Sequence, residues 1–198
     1  AIGKEGTLIM PTFTYSFCKN GIYDKLNSKS EVGILTEYFR KCEGVKRTND
    51  PIFSFAIKGS KQDLFLKDTK SCFGENCVYD ILTKENGKII LFGMDNSGYT
   101  IVHFLEELIQ VPYRYFKNFN GILIDENGKK RNIDIDYYVR DLDKNLNLSA
   151  EKQINLLKID NNFNQLIFSK SYIISIDTKK YLNTMLKHFK QDYYCLIE

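Results

Sequence analysis

Apolar residues recur along this chain with two different periods, and the switches between them lay out its elements. Short apolar runs bounded by Gly or Pro read as strands: Thr7-Leu-Ile-Met10, closed by Pro11; the alternating Ile52-Phe-Ser-Phe-Ala-Ile-Lys58 after Pro51; and Ile89-Ile-Leu-Phe-Gly93, a buried strand. Helical spacing of Ile34, Leu35, Tyr38 and Phe39 predicts a helix over 32–41, with Ser30 as its N-cap and those four residues as its buried stripe. A short helix is expected over 61–68, and the glycine turn Phe73-Gly-Glu-Asn-Cys77 opens another with Val78, Ile81 and Leu82 facing inward. The second half alternates polar and apolar residues over 112–125 and 130–141 around Glu126-Asn-Gly128, a hairpin signal. A helix over 149–158, one or two strands over 166–176 and an amphipathic helix over 177–190, capped by Asp177, complete the chain. Strands and helices interleave and hairpins are present, so the sheet should be mixed, with helices on its faces. The pattern predicts an α/β fold, a three-layer α/β/α sandwich with a β-hairpin extension in the C-terminal half.

The stretch Thr100-Ile-Val-His103-Phe-Leu-Glu106-Glu107 follows the strand at 89–93 and the polar turn Met94-Asp95-Asn96-Ser97-Gly98. Ile101, Phe104, Leu105 and Leu108 recur at helical spacing, so a helix opens here and extends to about Gln110. Thr100, His103 and Glu106 (or Glu107) are three or four apart and share one face of its first turns. In α/β chains chemistry gathers just past the carboxyl end of a strand, and a histidine there beside carboxylates is a candidate general base. His103 is one of only two histidines; the other, His188, falls on the basic, solvated face of the last helix.

Composition narrows the picture. With 198 residues, 43% of them hydrophobic, the chain is long enough for one domain with a sizeable core. A net charge of +3, with Lys and Arg scattered among carboxylates, argues against a nucleic-acid partner. Cys18, Cys42, Cys72, Cys77 and Cys195 are odd in number and lack a C-x-x-C pair, which reads as reduced thiols, not a disulfide framework or a zinc site. A His-x-x-Glu pair occurs in metal bundles, but the further ligands are missing, so no metal is expected. No apolar run reaches the roughly 20 residues of a membrane span and no signal peptide is visible, so a cytoplasmic protein is expected. The hydroxyls of Thr12, Thr14, Tyr15 and Ser16 could line a pocket, and Ser54 inside an apolar run is either bonded to backbone or a ligand contact.

Five segments occur together in a characteristic order: Gly6-Thr-Leu-Ile-Met-Pro-Thr-Phe13; Gly33-Ile-Leu-Thr-Glu37-Tyr-Phe-Arg40; Gly44-Val-Lys-Arg47-Thr-Asn-Asp-Pro51 leading into Ser54-Phe-Ala56 and Gly59; Phe73-Gly-Glu75; and Leu91-Phe-Gly93 with Thr100-x-x-His103-x-x-Glu106. In order and spacing the chain resembles the aminoglycoside 3-N-acetyltransferase family, the antibiotic N-acetyltransferases. Three departures stand out. Asp50 stands where the family's Arg-Ser-x-His-Pro has histidine, and Cys77-Val78 where its Gly-Glu-x-Ser-Pro turn has serine and proline. Gly93-Met-Asp95-Asn96 replaces a Gly-x-Gly-His. Members also begin some tens of residues earlier, so 1–198 reads as a single N-acetyltransferase-like domain that is N-terminally incomplete relative to the family.

The resemblance implies an acetyl-coenzyme A-dependent N-acyltransferase acting on an amine of an amino sugar, either an aminoglycoside, as in antibiotic resistance, or an amino-sugar nucleotide for surface polysaccharide. It implies His103 as general base, with Glu106 and Thr100 completing the catalytic set. Glu106, Asp50 or Glu75 would orient the ring, and backbone N–H groups or Thr100 would meet the oxyanion. Thr12, Arg47 and Ser54 fall to the coenzyme, and Glu75, Asp95 and Glu107 to the cationic acceptor. The alternative is a truncated or split member that is inactive alone and serves as a binding module. Its assemblies would be a homo-oligomer or a complex with a chain supplying the front segment.

Overall fold

The structure, a computed structural model, describes residues 2–93 and 98–198, so the expectation for Asp95 and the turn around it lies outside the described residues. In chain order the elements are β1 (Thr7–Pro11), α1 (Phe17–Asn20), β2 (Ile22–Asp24), α2 (Ile34–Phe39), β3 (Lys46–Arg47), β4 (Phe55–Gly59), a 3-10 turn (Gln62–Phe65), α3 (Val78–Lys84), β5 (Lys88–Phe92), α4 (Val102–Ile109), β6 (Arg114–Ile124), β7 (Lys130–Arg140), α5 (Ala150–Ile159), β8 (Asn164–Phe168), β9 (Ser171–Asp177) and α6 (Thr178–Phe189). The fold is mixed α/β, and the described strands group into three three-stranded sheets. Packing divides the chain into two compact units, Ala1–Val78 with Phe116–Tyr138, and Tyr79–Tyr115 with Val139–Glu198. No helix among the described residues is long and apolar enough to cross a membrane.

In the first unit, β1 pairs antiparallel with β4, from Thr7 opposite Gly59 to Pro11 opposite Phe55, and β3 lies along the other side of β4. Pro11 was expected to stop β1 and instead ends it from within, as a residue without an N–H can at the tip of an edge strand. Gly59 (φ 147°) cannot be replaced cheaply, because a Cβ there would lie 2.4 Å from the Thr7 Cα. Behind this sheet, Phe13 meets Phe53 and Phe55 edge-on at 5.1 and 5.4 Å, and Phe53 meets Phe73 at 4.6 Å. β2 runs parallel to β6, with β7 beyond it; the expected turn joins β6 to β7, Asp125 Oδ1 accepting the Asn127 and Lys129 N–H groups.

Helix α2 departs from expectation. It starts after Gly33, and Ile34, Leu35 and Tyr38 are exposed, Ile34 by 90%. Its anchoring face is polar: Arg40 grips Glu37 through two nitrogens at 2.5 and 2.7 Å and donates to the Leu26 carbonyl, while Glu37 accepts the Ser30 N–H.

In the second unit, β5 pairs antiparallel with β9, which forms a hairpin with β8. One face of this sheet buries Ile174 and Ile176, and α6 packs on β9 and α5 with Tyr181, Met185 and Phe189 buried. Ser149 and Asp177 cap α5 and α6 by accepting the Lys152 and Lys180 N–H groups, the second of them as the sequence predicts. The opposite face exposes Ile90 and Phe92 of β5 and Leu166 and Phe168 of β8. The strand expected to be buried at 89–93 is instead half-buried on one side, at Ile89 and Leu91, and exposed on the other, since alternate residues point to opposite faces.

Candidate active site

Helix α4 is built over a short span with an apolar side of Val102, Phe104 and Leu105, all buried. Its opening is tight: the His103 and Phe104 N–H groups reach the Thr100 and Ile101 carbonyls at 3.0 and 3.1 Å. Gln110, in the left-handed region (φ 50°, ψ 61°), ends it, and the Val111 N–H closes back on the Glu106 carbonyl at 3.1 Å. That reversal brings Tyr113 and Arg114 back toward the helix they have just left.

Three side chains converge there. Glu106 Oε2 lies 2.7 Å from His103 Nδ1 and 2.8 Å from Arg114 Nε, and Arg114 Nη2 lies 3.1 Å from the same Nδ1. The Glu106 side chain is 0% exposed, Arg114 5% and His103 23%, so the carboxylate is sealed in while the imidazole reaches the surface. A carboxylate can only accept, so the short 2.7 Å contact requires the proton on Nδ1 and leaves the lone pair on Nε2. Burial alone would raise the Glu106 pKa. The hydrogen bond and charge of His103, with the Arg114 cation, outweigh it, and the carboxyl is held below its ordinary range. The phenols facing Glu106 respond in the opposite sense: burial, then the Glu106 charge, pushes Tyr113 and Tyr181 upward, so both stay neutral. An imidazole with an oriented tautomer beside a buried carboxylate is an arrangement that can accept a proton at Nε2.

The remaining candidates are distributed differently. Thr100 lies in the turn that opens α4, half-buried, its carbonyl accepting the His103 N–H. Glu107 is buried on α4, and Glu75 is exposed on the turn before α3 in the first unit. Thr12, Arg47 and Ser54 do come together, but inside the first unit and bonded to one another. Arg47 Nε lies 3.1 Å from both hydroxyls, its Nη2 donates to the Thr12 carbonyl, and its guanidinium stacks over Tyr23 at 5.1 Å. At 0–4% exposure these groups do not fit the phosphates of a coenzyme; they brace β1, β3 and the chain before β4. Asp50 Oδ1 accepts the Ile52 and Phe53 N–H groups in that same unit.

Arg114 is absent from the residues picked out by sequence. A signal was available: a glutamate on the buried side of an amphipathic helix needs a cation, and Arg114 follows shortly after the helix end.

A model of the aminoglycoside 3-N-acetyltransferases matches residues 1–180. The chain belongs to this family. Among solved structures, AAC-IIIb in binary complex with CoASH is 17% identical over 96% of this chain and 79% of its own, with a TM-score of 0.78. AAC(3)-IVa, as a histidine-to-alanine variant in complex with gentamicin C1A, is 18% identical over 98% and 72%, with a TM-score of 0.78. The YokD protein of Bacillus subtilis is 19% identical over 96% and 76%, with a TM-score of 0.77. At such identities the likeness is one of fold. No curated protein matches the chain. The family is one of acetyl-coenzyme A-dependent acetyltransferases, and one of the similar structures holds the coenzyme.

Proposed function

We propose that this chain transfers an acetyl group from acetyl-coenzyme A to an amine of an aminoglycoside or a related amino sugar, an amino-sugar nucleotide included, with His103 as the general base. The observation that carries this reading is the 2.7 Å contact between His103 Nδ1 and the buried Glu106 carboxylate. An amino-sugar amine is largely protonated near neutral pH and attacks only through its lone pair, so a base of suitable strength is required. His103 Nε2 takes the proton, and Glu106 stabilises the imidazolium that results. When bound, acetyl-coenzyme A supplies the acetyl group as a thioester. Membership of the family and the coenzyme and gentamicin complexes of similar structures support both substrates.

The test follows thiol release from acetyl-coenzyme A with gentamicin C1A and, in parallel, an amino-sugar nucleotide. His103→Ala should lower kcat/KM by roughly 100- to 10,000-fold, the usual contribution of a general base, and leave calorimetric binding of acetyl-coenzyme A in place. Full turnover in that variant would sink the assignment. A second reading, a module that acts only with another polypeptide, is supported by the exposed apolar residues Ile90, Phe92, Leu166 and Phe168. Absence of coenzyme binding by the isolated chain would favour it.

A further inference from the structure

The contact between Arg114 Nη2 and His103 Nδ1, 3.1 Å long, has two chemical meanings. If Nδ1 is bare, the guanidinium donates to it and the ring proton sits on Nε2, which cannot then act as a base. If Nδ1 carries the proton, both atoms are donors, no hydrogen bond joins them, and the cation simply stands beside the ring. The 2.7 Å approach of Glu106 Oε2 to Nδ1 selects the second meaning. Arg114 is then tied to the site by its other contact, Nε at 2.8 Å from that same carboxylate oxygen.

A fully buried carboxylate with histidine as its one partner would favour a permanent ion pair. The ring would be held as imidazolium and have no lone pair for the acceptor. A second cation on the same oxygen removes that difficulty, because the carboxylate is neutralised whether or not the ring is charged. The other polar groups facing Glu106 cannot take this part, since Tyr113 and Tyr181 stay neutral phenols. We propose that Arg114 is a positioning residue for the His103 base: it shares the Glu106 carboxylate so that the carboxylate fixes the Nδ1–H tautomer without locking the ring in its protonated form. The planar guanidinium is essential to this task, because Nε must meet Glu106 while Nη2 lies against the imidazole. A lysine offers a point charge and no such pair of contacts. For its link to catalysis the inference rests on the acetyl-transfer reading; for the state of the ring it does not.

The experiment separates these two dependences. Ring-nitrogen NMR of 15N-histidine-labelled protein, with His188→Gln to leave one signal set, reads the His103 tautomer directly at pH 8, without substrate. The parent should show the Nδ1–H form; an Nε2–H form would overturn the proposal at once. Arg114→Met should shift the pH range over which the ring signals change, and the acidic limb of kcat/KM for acetyl-coenzyme A with gentamicin C1A, upward by about one pH unit or more. Arg114→Lys, which keeps a charge in the buried site if the methionine variant fails to fold, should move the limb in the same direction by less and fail to restore the parent kcat. A purely structural arginine would lower the unfolding midpoint and leave tautomer and pH limb where they were, and that result would refute the proposal. If thiol release is absent in the parent, the acetyl-transfer reading fails, while the NMR outcome still decides the role of Arg114.

Discussion

Arg47 is buried with Thr12, Thr14 and Ser54, and the Ser54 hydroxyl meets all three while donating to the Thr12 carbonyl at 2.7 Å. Removing that hydroxyl strands part of a buried guanidinium. Ser54→Ala should therefore cost about 1–3 kcal/mol in denaturant unfolding and leave the KM for acetyl-coenzyme A unchanged. A raised KM at full stability would return these residues to the coenzyme. Their fate was not legible in sequence, because a hydroxyl reads the same whether it serves a ligand or an arginine 35 positions away, as Thr12 does, or 7 away, as Ser54 does. His103 and Glu106 were legible because three residues along a helix guarantee neighbours. Arg114 was hidden by the left-handed Gln110, which returns the chain to a helix it has already left.

Helical elements were found by their period, but the period did not say which side would be anchored. In α2 the apolar positions Ile34, Leu35 and Tyr38 face outward, and the helix is held by Glu37, whose carboxyl the Arg40 fork holds down at about 2. A carboxylate depressed in the folded state contributes above its unfolded value and loses that contribution only as pH falls through the folded one. Hydrogen exchange should accordingly find the amides of 34–39 protected at pH 3.5 in the parent, and much less protected in Glu37→Gln at that pH and above. Equal protection in both would mean that the outward-facing side, and not the fork, holds the helix. The cap at Asp177 and the turn around Glu126-Asn-Gly128 were read correctly because their chemistry is local. The partial, one-sided cover of β5 was not, since a run of four apolar residues is silent about which face is covered.

For the chain as a whole, the carboxylates set opposing trends with pH. Glu37 and Glu106, both depressed, add stability above about pH 4.3. Asp50 acts the other way: burial pushes its carboxyl up to about 6, so its contribution is full below about pH 3.9 and is lost as pH rises through about 6. Asp50→Asn keeps an acceptor for the Ile52 and Phe53 N–H groups and removes the charge. Its unfolding free energy should exceed that of the parent at pH 8 by up to about 3 kcal/mol, and the gap should close by pH 4. A gap independent of pH would show that Asp50 is not ionising in the folded chain. The mixed α/β character and the family were readable from order and spacing; the partition into two compact units was not, because β6 begins in one and continues into the other. The compactness of the His103–Glu106–Arg114 cluster along the chain has a consequence for rearranged genes. All three precede the tip of the β6–β7 hairpin at 125–129, so a circular permutant with its new ends at that tip carries the base and both of its supports on one uninterrupted stretch.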